Sequence, residues 1–232
     1  GPFDAVLVCS PTSEHEAGVL AALEHDAHVM CERPFVTQAA TARRLIEAAS
    51  KAGREQMVAN HLRYRFDLRA IKHFVATGEA GDVVHLRSNW LNRRSRRPRR
   101  GWRRDPSRAG GGALMDLGAQ ALDVLLWVLD YPAVERLSAR LHGEGDVETS
   151  AVVHLALAGG MSASIEVTEY DWSKINGVIY EDNGVIIRSI PAVHFEQSAS
   201  FILEWNGLRL AFSGDTLPNK WWIEHTQGVD LS

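Results

Sequence analysis

Cysteine is scarce in this chain: Cys9 and Cys31 are the only two among 232 residues. Both sit inside short apolar runs, so they read as reduced core thiols, and a disulfide-stapled fold is excluded. Net charge is scarce too, with 25 Lys/Arg against 29 Asp/Glu leaving −4. A general affinity for nucleic acid or for an anionic membrane surface is not expected from that balance. No apolar stretch reads as approaching the roughly 20 residues that cross a bilayer. No basic start followed by an apolar run marks a signal peptide, so the protein is expected in the cytoplasm. Two site signatures are also missing, since neither G-x-G-x-x-G nor H-x-H-x-D-H occurs anywhere.

Short apolar runs alternate with helical patterns in the first 60 residues. Asp4–Cys9 and Ala27–Cys31 are continuous apolar strands of the kind covered on both faces of a parallel sheet, and Gln56–Ala59 is a third. Ser13 and Glu16 have capping-box spacing ahead of a helix to about His25. Thr37 is placed to cap a second helix, which Gly53 stops. Strands joined by crossover helices predict one half of a doubly wound α/β sheet. A helix over Asp67–Ala76 and a strand over Asp82–Leu91 come next. An arginine-dense loop and an apolar helix over Gly112–Leu129 follow, and then three antiparallel strands to Thr168.

The composition changes near Thr168. Residues 168–232 hold four Lys/Arg against nine Asp/Glu and four of the seven tryptophans. Asn183-Gly184 and Asn206-Gly207, each between apolar runs, predict tight hairpins, with a short helix from about Asn219. The fold class expected is α/β plus α+β. It comprises a partial doubly wound parallel sheet, then an antiparallel sheet with a hairpin-rich end. The divisions expected are 1–62, 63–167 and 168–232.

Two landmarks carry chemistry. Val29–Pro34 reads V-M-C-E-R-P, and Gly110–Gln120 reads G-G-G-A-L-M-D-L-G-A-Q. With Ser10–His15 (S-P-T-S-E-H), Asn60 and Asp123 they resemble, in order, the glucose–fructose oxidoreductase and inositol dehydrogenase (Gfo/Idh/MocA) family. The resemblance implies NAD or NADP as cofactor, with Ser10, Pro11, Thr12, His15, Glu32 and Asn60 on the nicotinamide side. It implies Arg33, Asp116 and Gln120 at the catalytic positions. That family normally has Lys where Arg33 stands and His where Gln120 stands. Arg33 stays charged and can orient a substrate without acting as a base, and Gln120 does not titrate. Asp116, one helical turn before Gln120, is the remaining base on that face, and His15 and His61 are the other titrating candidates. The chain also resembles that family from its fourth strand onward, without the glycine-rich phosphate turn. Eight arginines between Arg93 and Arg104 read as a solvated loop or as a carboxylate or phosphate site.

Residues 168–232 resemble a different group, the later half of metallo-β-lactamase-fold hydrolases. The carriers are Ile187–Phe195 and the stretch S-G-D-T-L-P-N-K-W from Ser213 to Trp221. That resemblance implies His194 and Asp215 as ligands of a divalent metal such as zinc.

The function expected is an NAD(P)-dependent oxidoreductase of the sugar or polyol class with weakened or absent catalysis. Its partner would be a small anionic or sugar-like molecule. A fragmentary metal-dependent hydrolase and a non-catalytic chimeric scaffold are the alternatives left open. Homo-oligomers are expected from the incomplete parallel sheet.

Overall fold

In the computed structural model, the residues described are 3–94, 101–143, 145–171, 176–191, 199–213 and 219–230. The chain divides into two compact units, residues 1–90 with 100–167, and residues 91–99 with 168–232.

The first unit begins with β1 (Ala5–Val8), α1 (His15–Glu24), β2 (His28–Cys31), α2 (Ala39–Ala52) and β3 (Gln56–Val58). The strands pair in parallel in the order β1-β2-β3. Val8, Val29 and Cys31 meet Val19, Leu23, Leu45 and Ala49 from the two helices. Gly18 permits the close approach of α1, because a Cβ there would lie 3.0 Å from a Val8 methyl. Continuous apolar runs suggested cover on both faces, but the described residues cover only one. Leu7 pairs with Met30 and Met30 with Met57, and this row is 59%, 40% and 41% exposed.

The predicted caps also differ. Ser13 lies inside a 3-10 turn over Thr12–Glu14, and among the described residues no side chain caps α1. Glu16 accepts instead from Arg44 on α2 at 2.6 Å, which draws it away from a capping box. Helix α2 starts after Gln38 without a side-chain cap, leaving Thr37 outside it. Gly53 does stop α2, in the left-handed conformation at φ 62°.

A 3-10 turn over His61–Tyr64 leads to α3 (Phe66–Ala76), β4 (His85–Arg94) and α4 (Pro106–Ala109). A π-helical turn over Leu114–Gly118 runs into α5 (Ala119–Val128), followed by β5 (Val134–His142), β6 (Ser150–Leu157) and β7 (Ser162–Asp171). The sheet order is β4-β7-β6-β5. Alternation in β6 turns Ala151, Val153, Leu155 and Leu157 toward Ala113, Leu117, Ala121, Leu125 and Leu129. Those five recur every fourth residue, so one helical stripe meets one sheet face. By length and composition the segment Pro106–Val128 could pass for a membrane-crossing helix, but Gly110 interrupts it in the left-handed conformation. Half of it is buried, and its apolar stripe is this core face.

The second unit contains β8 (Gly177–Asp182), β9 (Val185–Pro191), β10 (Ala199–Trp205), β11 (Leu208–Phe212) and α6 (Lys220–His225). Its sheet is antiparallel in the order β11-β10-β9-β8. Both predicted hairpin turns form. Asn183 and Gly184 have φ 49° and 77°, and Asn206 and Gly207 have 49° and 81°, the positive pair a type I′ turn requires. Trp221, Trp222 and Val229 pack on Ile190, Ile202 and Ala211. The short helix expected from about Asn219 forms, and the side chain of Asn219 accepts from Trp222 N at 3.0 Å and caps it.

Candidate active site

Arg33 follows β2 at a cis bond to Pro34. Its guanidinium crosses to the π-helical turn, where Nη1 donates to Asp116 Oδ1 at 2.7 Å and to the Asp116 carbonyl at 3.0 Å. Gln120, one turn on and buried, donates through Nε2 to the same carbonyl at 3.0 Å. The three residues that the sequence marked for catalysis therefore meet around one peptide unit. A π-helical turn displaces the usual backbone acceptors, and Arg33 and Gln120 supply donors to the carbonyl there.

Glu32 turns back on the next peptide, its Oε2 accepting from Arg33 N at 3.1 Å. Two carboxylates thus attend Arg33, one at its backbone and one at its guanidinium. Arg33 Nε is buried with no partner among the described residues. Thr37, a few residues on, packs its methyl group against Gly110, where a Cβ would come within 2.6 Å of Thr37 Cγ2. Gly110 has φ 82° and ends α4, so it meets both a conformational and a steric demand.

The Ser10–His15 segment forms a firm turn. Glu14 N donates to the Pro11 carbonyl at 2.8 Å, and Thr12 is buried. His15 is 1% exposed, with Nδ1 2.9 Å from the Phe35 carbonyl and Nε2 2.9 Å from the Ser10 carbonyl. Both ring nitrogens are engaged by backbone, so His15 ties the turn to the segment after Pro34. His61 lies exposed in its 3-10 turn. The Ser10 hydroxyl is buried without a partner among the described residues, an unsatisfied group in a turn held by these bonds. No glycine-rich turn for a pyrophosphate occurs in the sequence.

Asn60 takes part in a second cluster. Its Nδ2 donates to Asp123 Oδ1 at 3.0 Å, and Arg63 grips the same carboxylate through Nε at 2.8 Å and through Nη2. This hydrogen bonding to Asp123 holds the Arg63 guanidinium above its ordinary basicity. Arg63 also lies 5.7 Å from the Tyr131 ring centroid. Asp123 is three residues after Gln120, so one face of the helical segment presents acids to two arginines from the first sixty-odd residues.

Two further residues contribute contacts that no local pattern specifies. Arg108 on α4 donates to Glu14 at 2.6 Å, joining that short helix to the Ser10–His15 segment. Glu148, between β5 and β6, accepts from Ala113 N and Leu114 N. Its two partners are more than thirty residues away, beyond the range of any local pattern. Arg63, three residues after Asn60, could have been found from its spacing.

The expected metal ligands His194 and Asp215 lie outside the described residues, as do residues 95–100 of the arginine-dense loop, while β4 runs on to Arg94 and a 3-10 turn covers Gly101–Arg104. Among the described residues, no three His, Cys, Asp or Glu side chains cluster so as to hold a metal ion.

The chain is similar to several known proteins. The model described as "Oxidoreductase family, NAD-binding Rossmann fold" matches residues 2–60, and "GFO/IDH/MocA C-terminal domain" matches residues 68–187. D-glucoside 3-dehydrogenase of Escherichia coli is 35% identical over 136 residues, 59% of this chain and 38% of that protein. Inositol 2-dehydrogenase of Pseudomonas fluorescens is 29% identical over 215 residues, 87% of this chain and 61% of that one. Among solved structures, GenD2 from gentamicin A biosynthesis in complex with NAD superimposes with a TM-score of 0.67 at 24% identity. The match covers 89% of this chain and 53% of GenD2. The chain thus spans about 40–60% of the length of these curated relatives. The resemblance of residues 168–232 to metallo-β-lactamase-fold hydrolases, and the chimera it implied, find no support in these matches. The C-terminal-domain match instead continues past residue 168 to residue 187. Apolar strands joined by Asn-Gly turns serve many antiparallel sheets, which is why the tail could suggest another fold. On these matches, the chain belongs to the GFO/IDH/MocA oxidoreductase family.

Proposed function

We propose that this chain carries the catalytic side of an NAD(P)-dependent oxidoreductase for sugar-like or polyol alcohols, with a weakened proton relay. The observation that carries the reading is the 2.7 Å ion pair between Arg33 and Asp116, with Gln120 bonded to the same residue. Ser10, Pro11, Thr12 and Glu32 would hold the nicotinamide side of the cofactor, with His15 fixing the turn and Asn60 at its flank. The bound nicotinamide would supply the hydride acceptor or donor.

Asp116 is the group able to take up the hydroxyl proton as an alcohol becomes a carbonyl. Protonating it forfeits the ion pair with Arg33, whose own proton is not available for exchange. Gln120 can orient a hydroxyl but cannot carry a proton onward. Slow turnover follows from that arrangement. With Glu32 and Asp116 both beside Arg33, the local charge favours a neutral polyol over an anionic substrate. D-glucoside 3-dehydrogenase and inositol 2-dehydrogenase, as relatives, support the alcohol class.

Nicotinamide reduction with inositol and simple glucosides, plus titration of tryptophan fluorescence by NAD(H) and NADP(H), tests the proposal. The expected result is cofactor binding with slow turnover that Asp116→Asn removes. Arg33→Lys combined with Gln120→His restores titrating groups and should raise kcat by about 100-fold. No fluorescence change with either cofactor, and no turnover in either protein, would sink the reading.

A further inference from the structure

We infer that Glu148 is a positioning residue for Asp116, holding the start of the helical segment that presents it to Arg33. The inference rests on the reading of Asp116 above as the working carboxylate. A helix start leaves backbone N–H groups without intrahelical acceptors, and a Ser, Thr, Asp or Asn at the first position usually serves them. Here that position is Ala113, which has no side-chain cap to offer. Glu148 takes over from 34 residues away. Its carbonyl accepts from Ala113 N at 2.9 Å and its Oε1 accepts from Leu114 N at 3.0 Å. A carboxylate at this end also meets the favourable pole of the helix dipole.

The surrounding glycines point to the same residue. A Cβ on Gly112 would lie 2.0 Å from the Glu148 carbonyl oxygen, and one on Gly143 would lie 2.9 Å from Glu148 Cα. Glu148 is thereby seated between two backbone surfaces that any larger residue would push apart. The next bond in the series, Asp116 N to the Gly112 carbonyl at 3.0 Å, carries the constraint into the π-helical turn. From there Asp116 reaches Arg33. A π-helical turn is a less stable alternative to a regular one and persists where its surroundings hold it.

The test compares Glu148→Ala with Glu148→Gln, which keeps an acceptor for Leu114 N. Amide exchange reports the cap, and a double-mutant cycle of Arg33→Gln with Asp116→Asn, followed by denaturant unfolding, reports the ion pair. Glu148→Ala should speed exchange at Leu114 by about five- to tenfold. It should also abolish the Arg33–Asp116 coupling and lower kcat while leaving KM within about twofold. Glu148→Gln should retain most of both and folds if the alanine variant does not. Faster exchange with undiminished Arg33–Asp116 coupling would overturn the inference and reduce Glu148 to a cap. If instead the coupling is lost while Asp116→Asn turns over normally, the catalytic reading fails and the positioning stands.

Discussion

Lysine and arginine share a charge but not a chemistry, and residue 33 shows the consequence. A lysine ammonium can exchange its proton when its environment lowers its pKa, whereas a guanidinium stays protonated and binds in a fixed planar geometry. Arg33 uses that geometry on Asp116, joining two elements where a proton carrier would leave them free to trade protons. Cys31 shows a comparable effect of surroundings. Burial, helped by Glu32 and Cys9, pushes its thiol up to about 12 from an ordinary 9. A thiol-directed disulfide reagent at mildly alkaline pH should therefore titrate one group, exposed Cys9, in the native protein and two after unfolding. Cys31 also adds an alkaline limit. Its raised pKa lends stability that is intact below about pH 9 and fades as pH climbs toward about 12, because the unfolded thiol ionises first. A Cys31→Ala variant should melt with a shallower dependence across that window, and an unchanged slope would show that Cys31 ionisation is not involved.

Among the elements, Gly110 and Gly112 have separate tasks. In the structure Gly110 faces Thr37, while Gly112 presses on the backbone of Glu148. Gly112→Ala should destabilise the first unit by about 3 kcal/mol, as overpacking against backbone that cannot swing aside. Denaturant unfolding measures this, and a loss below about 0.5 kcal/mol would show that the loop after β5 yields easily. In the second unit Arg209 acts as a strut. Its side chain reaches Glu204, the Gln227 carbonyl at 3.1 Å and the His225 carbonyl at 3.2 Å. Arg209→Ala should loosen the residues after α6 and speed amide exchange in α6 about tenfold while β10 and β11 stay protected. Equal protection in the variant would assign the docking of α6 to Trp221 and Trp222 alone.

For the whole molecule, the face of the parallel sheet that the described residues leave exposed matters most. Leu7, Met30 and Met57 form an apolar row across all three strands, and Phe3, two residues before β1, is 67% exposed. Parallel sheets are normally covered on both faces because their backbone and side chains suit a dry environment. We expect the 232-residue chain to self-associate through that face at concentrations on the order of micromolar. Met30→Lys places a charge at the centre of the row and should shift sedimentation toward the monomer. Unchanged sedimentation would point to another surface.

Order of strands and helices, both Asn-Gly turns, the Gly53 stop and the helix start near Asn219 were legible in the residues because each depends on neighbours within a few positions. So were the residue types at 33, 116 and 120. Periodicity carries no information on partners, so the pairing of Arg33 with Asp116 across 83 positions belongs to the chain's path alone. The remote cap from Glu148 and the bond of Asn60 to Asp123 were decided the same way. The open sheet face also came only from tertiary structure: an apolar run shows a strand's need for cover, and packing determines whether the cover is there.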